Sequence, residues 1–279
     1  MSRLTRTPWF KTVCYAVIYL FSLQVVHSVT IGFPQWNVSW KFGPKEACAQ
    51  EPEWLASTVD ANYEDRYIQE KLAEIGPGVD AVFAFVRDEI GYESYTGSLR
   101  GARGTLWSKA GNSLDQASLL IALLRGQGIP CRYVRGTLSD GDAKGLILSM
   151  FTLPCKIVGF IPEGAELSDP ANDPQLLEET KEHYWVEFDD GSGSGFKALD
   201  PTFGNAVIDQ TFAPKESTFA EVPADLRHKV TIRLKAELMG NLTGLIGGGA
   251  NTKTVLNETF NTVELVGKPL SVGHFVNSY

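Results

Sequence analysis

The most continuous hydrophobic pattern beyond the N-terminus lies at residues 113–126 (SLDQASLLIALLRG), where apolar side chains fall on almost every side of a predicted helix. A helix that is apolar all round belongs in the middle of a protein core rather than on its surface. Gly126, Gly128 and Pro130 then end the pattern, because glycine and proline are poor helix residues. We therefore expect this central helix to lie at the centre of the fold.

Three further segments have helical patterns. Residues 79–90 (VDAVFAFVRDEI) place apolar side chains three and four positions apart, and Gly91 follows as a C-terminal glycine. A more polar pattern predicts a helix over about 61–74, and residues 174–182 suit a short helix. Residues 92–104, rich in glycine and aromatic residues, are expected to form a loop.

Strands are predicted after the central helix. The turn-forming segment 189–195 (DDGSGSG) joins residues 183–188 to 196–199 as a β-hairpin, in which His183 and Trp185 share one face. From about residue 228 onwards, alternating apolar and polar positions predict a small β region. The other segments with a strand-like pattern are residues 132–138, 146–160, 229–238 and 254–266.

The N-terminal residues predict an export signal. Three cations precede residues 13–26, a run of mostly apolar residues, and no acidic residue occurs before Glu46. This order is typical of a secretory signal, so residues 1–28 are predicted to be a signal peptide and the protein to be secreted, periplasmic or extracellular. The run is shorter than the ~20 apolar residues of a membrane-spanning helix. An uncleaved anchor at residues 13–26 is the alternative, and it is the only membrane contact that we expect. Residues 29–59 are interpreted as a lead-in segment.

Composition and charge exclude several classes of protein. A hydrophobic fraction of 43% and a charged fraction of 21% are ordinary for a globular protein. The formal net charge of −8 becomes −11 when the three cations of residues 1–28 are removed. An acidic chain without a basic cluster is not expected to bind nucleic acid. No acidic cluster has the spacing of a metal-binding loop, so neither a metal nor a cofactor is expected.

The cysteines indicate neither a disulfide framework nor a zinc site. Cys48, Cys131 and Cys155 follow the predicted signal at irregular spacings. A Cys131–Cys155 bridge would need an oxidising compartment. Buried thiols fit the pattern better, and Cys131 is not expected to be a nucleophile.

Three separated residues could form a nucleophilic site. Ser113 stands at the start of the central helix, where free backbone N–H groups and the helix dipole stabilise negative charge. The predicted hairpin carries His183 on one strand and Asp200 at the end of the next, which would supply a general base and a carboxylate to orient it.

Three motifs together resemble the transglutaminase-like superfamily. They are Gly111–Gly136 (GNSLDQASLLIALLRGQGIPCRYVRG), His183–Glu187 (HYWVE) and Leu199–Thr202 (LDPT), and residues 86–95 (VRDEIGYESY) resemble the segment that precedes them. The resemblance covers roughly residues 60–212. It implies an α+β fold similar to that of papain-like cysteine peptidases, with a buried central helix packed on an antiparallel sheet. On this basis we interpret residues 60–227 as a transglutaminase-like domain and 228–279 as a C-terminal β region.

The chain departs from the family at one functional position. Active members have cysteine after the Gly-Asn pair, and this chain has Ser113; His183 and Asp200 match the family's catalytic His and Asp. A thiol with a pKa near 8.5 becomes largely thiolate at a helix N-terminus beside an imidazolium. A serine hydroxyl does not ionise in this way, so it depends on a base that removes its proton as the oxygen attacks.

Each candidate residue also has a plain structural interpretation. Ser113 and Gln116 have the spacing of a capping box, in which Ser113 would be the helix N-cap. His183 could be retained for structure rather than turnover, and Asp200 before proline is a common turn residue. Asp115 and Arg125, at the two ends of the central helix, are expected at the solvent or in salt bridges.

Two functional hypotheses follow. In the first, the chain is an exported transglutaminase-like domain that has lost thiol catalysis and binds a peptide or protein, or a glycan-linked peptide, as a scaffolding module. In the second, it is an acyl-transfer enzyme or amide hydrolase in which Ser113 attacks, His183 is base and then acid, and Asp200 orients the imidazole. Both require Ser113, His183 and Asp200 to converge at one cleft.

Overall fold

A computed structural model describes residues 53–151, 169–238, 251–269 and 271, all within the unit Ala49–Tyr279. The predicted signal, most of the lead-in segment and the strand predicted after residue 151 lie outside these residues. The described helices are α1 (Arg66–Ile75), α2 (Val79–Glu89), α3 (Gly101–Ser108), α4 (Ser113–Gly126), α5 (Asp140–Ser149), α6 (Pro174–Lys181) and α7 (Thr262–Leu265). The described strands are β1 (Gly91–Tyr92), β2 (Ala110–Gly111), β3 (Cys131–Thr137), β4 (Glu182–Asp189), β5 (Phe196–Leu199), β6 (Lys215–Phe219), β7 (Lys229–Leu238) and β8 (Asn251–Asn261).

The central helix is α4, and every residue from Ser113 to Arg125 is buried. Helices α1, α2 and α3 pack on one side of it, and strands β3 and β4 on the other. This arrangement explains why its sequence is apolar all round, since no face of α4 meets solvent. The prediction of a central core helix is confirmed.

One antiparallel sheet supports the central helix, with strand order β5–β4–β3–β6. Tyr184 and Val186 of β4 belong to the core that includes α4, whereas Trp185 packs on the opposite face with Leu146 of α5. The expected α+β fold, a buried helix on an antiparallel sheet, is therefore confirmed. Strands β7 and β8 form a separate two-stranded ribbon.

Three local elements differ from the sequence prediction. Helix α3 begins inside the expected loop at 92–104 and extends beyond it, and it starts where the carboxylate of Asp115 accepts hydrogen bonds from the N–H groups of Arg100 and Gly101. Residues 146–149 belong to helix α5 rather than to a strand, because the Ser139 side chain caps α5 by accepting from the Asp142 N–H. The strand predicted over residues 254–266 ends early, because Thr262–Leu265 form helix α7.

Among the described residues, no helix is both long enough and apolar enough to span a membrane.

Arg125, at the last turn of α4, was expected at the solvent or in a salt bridge, and this expectation is wrong. Arg125 is only 3% exposed. Its guanidinium donates hydrogen bonds to the backbone carbonyls of Trp54, Ala56, Cys131 and Ala220. A guanidinium has five N–H donors in a rigid fork, which suits it to bind several carbonyls that would otherwise be buried without partners. Arg125 thus joins the end of the central helix to the start of β3 and to two distant segments.

Replacing Arg125 should destabilise the fold strongly. We expect Arg125→Leu to lower the free energy of unfolding by about 3 kcal/mol or more, because it leaves buried carbonyl oxygens unpaired. Arg125→Lys keeps the charge but has fewer hydrogen-bond donors, so its free energy of unfolding should lie between those of Arg125→Leu and wild type. Urea denaturation followed by far-UV circular dichroism measures both. A leucine variant within about 0.5 kcal/mol of wild type would show that these bonds contribute little.

Candidate functional site

The start of the central helix is capped by Asn112, not by Ser113. The Asn112 Oδ1 accepts the N–H of Asp115 at 2.9 Å, and its Nδ2 donates to the carbonyls of Tyr95 and Gly97, both at 2.8 Å. Gln116 does not close a capping box, because its amide nitrogen donates to the carbonyls of Gly91 and Gly111. The expectation that Ser113 is the N-cap is therefore wrong. Ser113 is the first residue inside the helix, and its hydroxyl is not used as the cap.

The hydroxyl of Ser113 contacts the first residues of β4. Its Oγ accepts a hydrogen bond from the backbone N–H of Tyr184 at 3.2 Å. Ser113 is 3% exposed. The start of the helix therefore meets β4 at the residue that follows His183.

His183 and Asp200 form a buried pair. The His183 Nε2 lies 2.7 Å from the Asp200 Oδ2, and neither residue is exposed. The Asp200 Oδ1 also accepts the N–H of Thr202 at 3.2 Å. The carboxylate therefore fixes the imidazole through Nε2 and leaves Nδ1 as the nitrogen that could take up a proton. This is the arrangement of a base and its orienting carboxylate.

The imidazole does not bind the Ser113 hydroxyl directly. His183 Nδ1 is buried and has no hydrogen-bond partner within the described residues. Its ring lies between the rings of Trp185 and Phe203, with centroid distances of 6.1 and 5.6 Å. Ser113 binds the residue that follows His183, and His183 binds Asp200, but the hydrogen bond from Ser113 to His183 that would activate a serine is not formed.

Ser113, His183 and Asp200 are all buried, with exposed fractions of 3%, 0% and 0%. Three other buried polar atoms also have no hydrogen-bond partner within the described residues: Gln116 Oε1, Trp185 Nε1 and Thr202 Oγ1. Each belongs to a residue that lies a few positions after Ser113, His183 or Asp200 in the sequence. Leaving such an atom unpaired costs about 1–3 kcal/mol. Since buried polar groups are nearly always paired, these atoms are candidates for hydrogen bonds to water or to a ligand.

Asp115 is the residue that sequence reasoning missed. It was expected at the solvent or in a salt bridge, but it is fully buried and accepts five hydrogen bonds. The donors are the hydroxyls of Tyr95 and Ser98 and the N–H groups of Leu99, Arg100 and Gly101. An acidic residue in the first turn of a helix suits the helix dipole, which is the signal that the sequence offered. That signal does not reveal the loop that Asp115 binds.

A second buried carboxylate extends this network. The Ser98 hydroxyl lies 2.6 Å from Asp60 Oδ1 and 3.1 Å from Asp115 Oδ1, and Arg227 Nε donates to Asp60 Oδ2 at 2.7 Å. Burial raises the pKa of Asp60, and the hydrogen bonds from Ser98 and Arg227 oppose that rise. Burial also raises the pKa of Tyr95, with a further contribution from the charge of Asp115. The start of the central helix is thus linked through Ser98 to Arg227, just before β7.

Cys131 does not offer an alternative nucleophile. It lies in β3 with no exposed surface, and its Sγ is 3.8 Å from the carbonyl oxygen of Ile121. Burial raises the pKa of its thiol to about 12, which leaves almost no thiolate at neutral pH. Within the part of the chain that the structure describes, no group of three or more His, Cys, Asp or Glu side chains could hold a metal ion.

Substitutions at the helix start should separate the cap from the site. We expect Asn112→Ala to lower the free energy of unfolding by about 2 kcal/mol, because it removes the cap and two further hydrogen bonds. Ser113→Ala removes one acceptor and should cost about 1 kcal/mol. Asn112→Asp keeps the oxygen that caps the helix, so its free energy of unfolding should lie between those of Asn112→Ala and wild type. Thermal and urea denaturation measure all three; a larger loss in Ser113→Ala than in Asn112→Ala would contradict this assignment of the cap.

The Cys131 thiol should be unreactive in the folded protein. In a variant with Cys14, Cys48 and Cys155 replaced by serine, we expect a thiol reagent at pH 8 to label Cys131 only at the rate of unfolding. Adding urea should then expose it, which provides the positive control. Rapid labelling of the native variant would show that β3 opens locally.

The chain was compared with protein families, curated sequences and solved structures. A family model described as the transglutaminase-like superfamily matches residues 61–201. Among solved structures, a protein from Cytophaga hutchinsonii, provisionally assigned as a cysteine protease, is 16% identical with a TM-score of 0.37. The match covers 81% of this chain and 58% of that one. No curated protein sequence matches. The family match spans half of the chain and includes Ser113, His183 and Asp200, so this protein belongs to the transglutaminase-like superfamily.

Proposed function

We propose that this protein is an exported transglutaminase-like domain without thiol catalysis, and that it binds a peptide or protein ligand as a scaffolding module. In this proposal Ser113 occupies the position of the catalytic cysteine in active members of the superfamily. The proposed ligand is a protein or peptide and not nucleic acid, because the chain carries a net charge of −8. Export rests on the signal-like residues 1–28, with an anchor at residues 13–26 as the alternative.

The hydrogen bonding of Ser113 is the observation that carries this proposal. A serine attacks only when a base removes its proton, which requires the hydroxyl to donate to that base. Here the Ser113 Oγ accepts the Tyr184 N–H, and His183 Nδ1 has no partner in the described part of the chain. A site shaped for a larger sulfur atom would hold an oxygen too far from the imidazole, and a small misplacement costs orders of magnitude in rate.

The unpaired polar atoms support the binding of an amide-containing ligand. Trp185 Nε1 is a donor and Gln116 Oε1 is an acceptor, and both are buried without partners among the described residues. The carbonyl and N–H groups of a peptide backbone would pair with such atoms. Because Trp185 packs with Leu146 of α5, a bound peptide would have to displace α5 to reach Trp185 Nε1.

The intact His183–Asp200 pair favours a second candidate, an active acyl-transfer enzyme or amide hydrolase. The 2.7 Å bond would orient His183 as in a working triad. The Ser113 Oγ would attack the amide carbon while His183 Nδ1 takes the hydroxyl proton. His183 would then return that proton to the departing amine as the carbon–nitrogen bond breaks. The N–H groups at the start of α4 would stabilise the oxyanion.

A matched set of variants tests the two candidates. Wild type, Ser113→Cys and Ser113→Ala are assayed for amide hydrolysis and for incorporation of a labelled amine into a peptide substrate. We expect wild type and Ser113→Ala to be equally inactive, and Ser113→Cys to gain at least about a hundredfold over both, because a thiolate can form beside His183.

The double variant Ser113→Cys/His183→Asn is the control. It should lose the gained activity, since the amide of asparagine cannot act as a base. Activity in wild type that disappears in Ser113→Ala would refute the loss of catalysis and establish the enzyme instead. A Ser113→Cys variant as inactive as wild type would show that more than the sulfur is missing.

A further inference from the structure

The ribbon of β7 and β8 has two outer edges, and neither is paired within the described residues. An isolated two-stranded ribbon is at best marginally stable in water, and three or more strands are needed for independent stability. On one face, Val230, Ile232 and Leu234 of β7 lie opposite Phe260, Glu258 and Leu256 of β8. None of these apolar side chains is fully buried. The ribbon therefore has the properties of an incomplete sheet.

The two edges differ in charge. Strand β7 carries Lys229, Arg233 and Lys235, cations of the kind that protect an edge strand from pairing. Strand β8 has no such row of like charges. Two of its apolar residues, Val255 and Phe260, are 59% and 36% exposed. The β8 edge is consequently the one that is open to another strand.

A β-bulge sets which β8 side chains share a face. Lys253 pairs with Ala236 and Glu258 pairs with Ile232, and these two β7 residues are four positions apart. Side chains alternate along a strand, so Lys253 and Glu258 lie on the same face of the ribbon. They do so although they are five positions apart, because Val255 is the extra residue of the bulge between them.

We propose that two copies of this chain pair through the β8 edge, antiparallel and related by a two-fold axis between Val255 and Leu256. This register places Lys253 of each copy opposite Glu258 of the second copy, which forms two ion pairs across the new strand pair. It also places Thr252 opposite Thr259 and Thr254 opposite Asn257 of the second copy. At the centre of the interface, Val255 of each copy lies opposite Leu256 of the second copy.

The proposed pairing produces a four-stranded sheet with the order β7–β8–β8–β7. Main-chain hydrogen bonds supply the attraction, and the Lys253–Glu258 pairs select the register. In antiparallel pairing through β7, a two-fold axis at Ile232 would place Lys229 opposite Lys235 of the second copy, and such like-charge pairs disfavour that register. The interface is self-complementary, as a two-fold dimer requires. This inference goes beyond the proposed function and does not depend on it.

Charge reversal tests the pairing. The full chain is studied by sedimentation velocity over a range of concentrations, with circular dichroism to verify folding. We expect wild type to dimerise, and Lys253→Glu and Glu258→Lys each to raise the dissociation constant about tenfold or more, because each places like charges opposite one another. The combined variant Lys253→Glu/Glu258→Lys restores opposite charges and should recover dimerisation. The matched control Lys235→Glu changes the charge of β7 and should leave the dimer intact.

Three results would overturn the proposal. They are a wild-type chain that stays monomeric at every concentration, single charge reversals that leave dimerisation unchanged, and a double variant that fails to recover it. A wild type that is folded by circular dichroism but monomeric would show that the β8 edge does not pair with a second copy. These variants lie far along the chain from Ser113, so the amide assays can be run on them separately.

Discussion

The fold around the candidate site depends on a buried carboxylate. Asp115 has no exposed surface, and its charge is balanced by five hydrogen-bond donors from residues 95–101. A buried charge without such partners would cost several kcal/mol, so the loop and the helix must form together. The same bonds start helix α3, since they take up N–H groups at its beginning. The position of Ser113, two residues earlier, follows from this anchor.

The opposite end of the central helix is held by an equivalent contact of opposite charge. Arg125 binds four carbonyls, while Asp115 binds N–H and hydroxyl groups. An acid in the first turn and a base in the last turn both suit the helix dipole. The helix is thereby fixed along its axis as well as by its apolar sides. Such a fixed helix keeps its N-terminus at a constant place relative to β4 and the His183–Asp200 pair.

The sequence predicted what depends on local pattern. The central helix, helix α2 and the hairpin of β4 and β5 are short-range features with clear periodicity, and the motif resemblance located Ser113, His183 and Asp200. The sequence could not predict that Arg125 reaches Trp54 and Ala220, which lie 71 and 95 residues away. It also could not predict β6, whose partner β3 is about eighty residues earlier. The cap was misplaced because Asn and Ser are both good N-caps, and only the three-dimensional path of residues 95–97 favours Asn112.

Asn112 and Ser113 make different hydrogen bonds, and this difference affects which of the two residues can be exchanged. The cap and the loop contacts belong to Asn112, so the residue at 113 contributes only the bond to the Tyr184 N–H. The stability of the helix start therefore depends mainly on Asn112 and less on its neighbour. A lineage with this architecture can exchange the side chain at 113 without rebuilding the helix around it. The nature of residue 113 and the stability of the scaffold are in this sense separable properties of the protein.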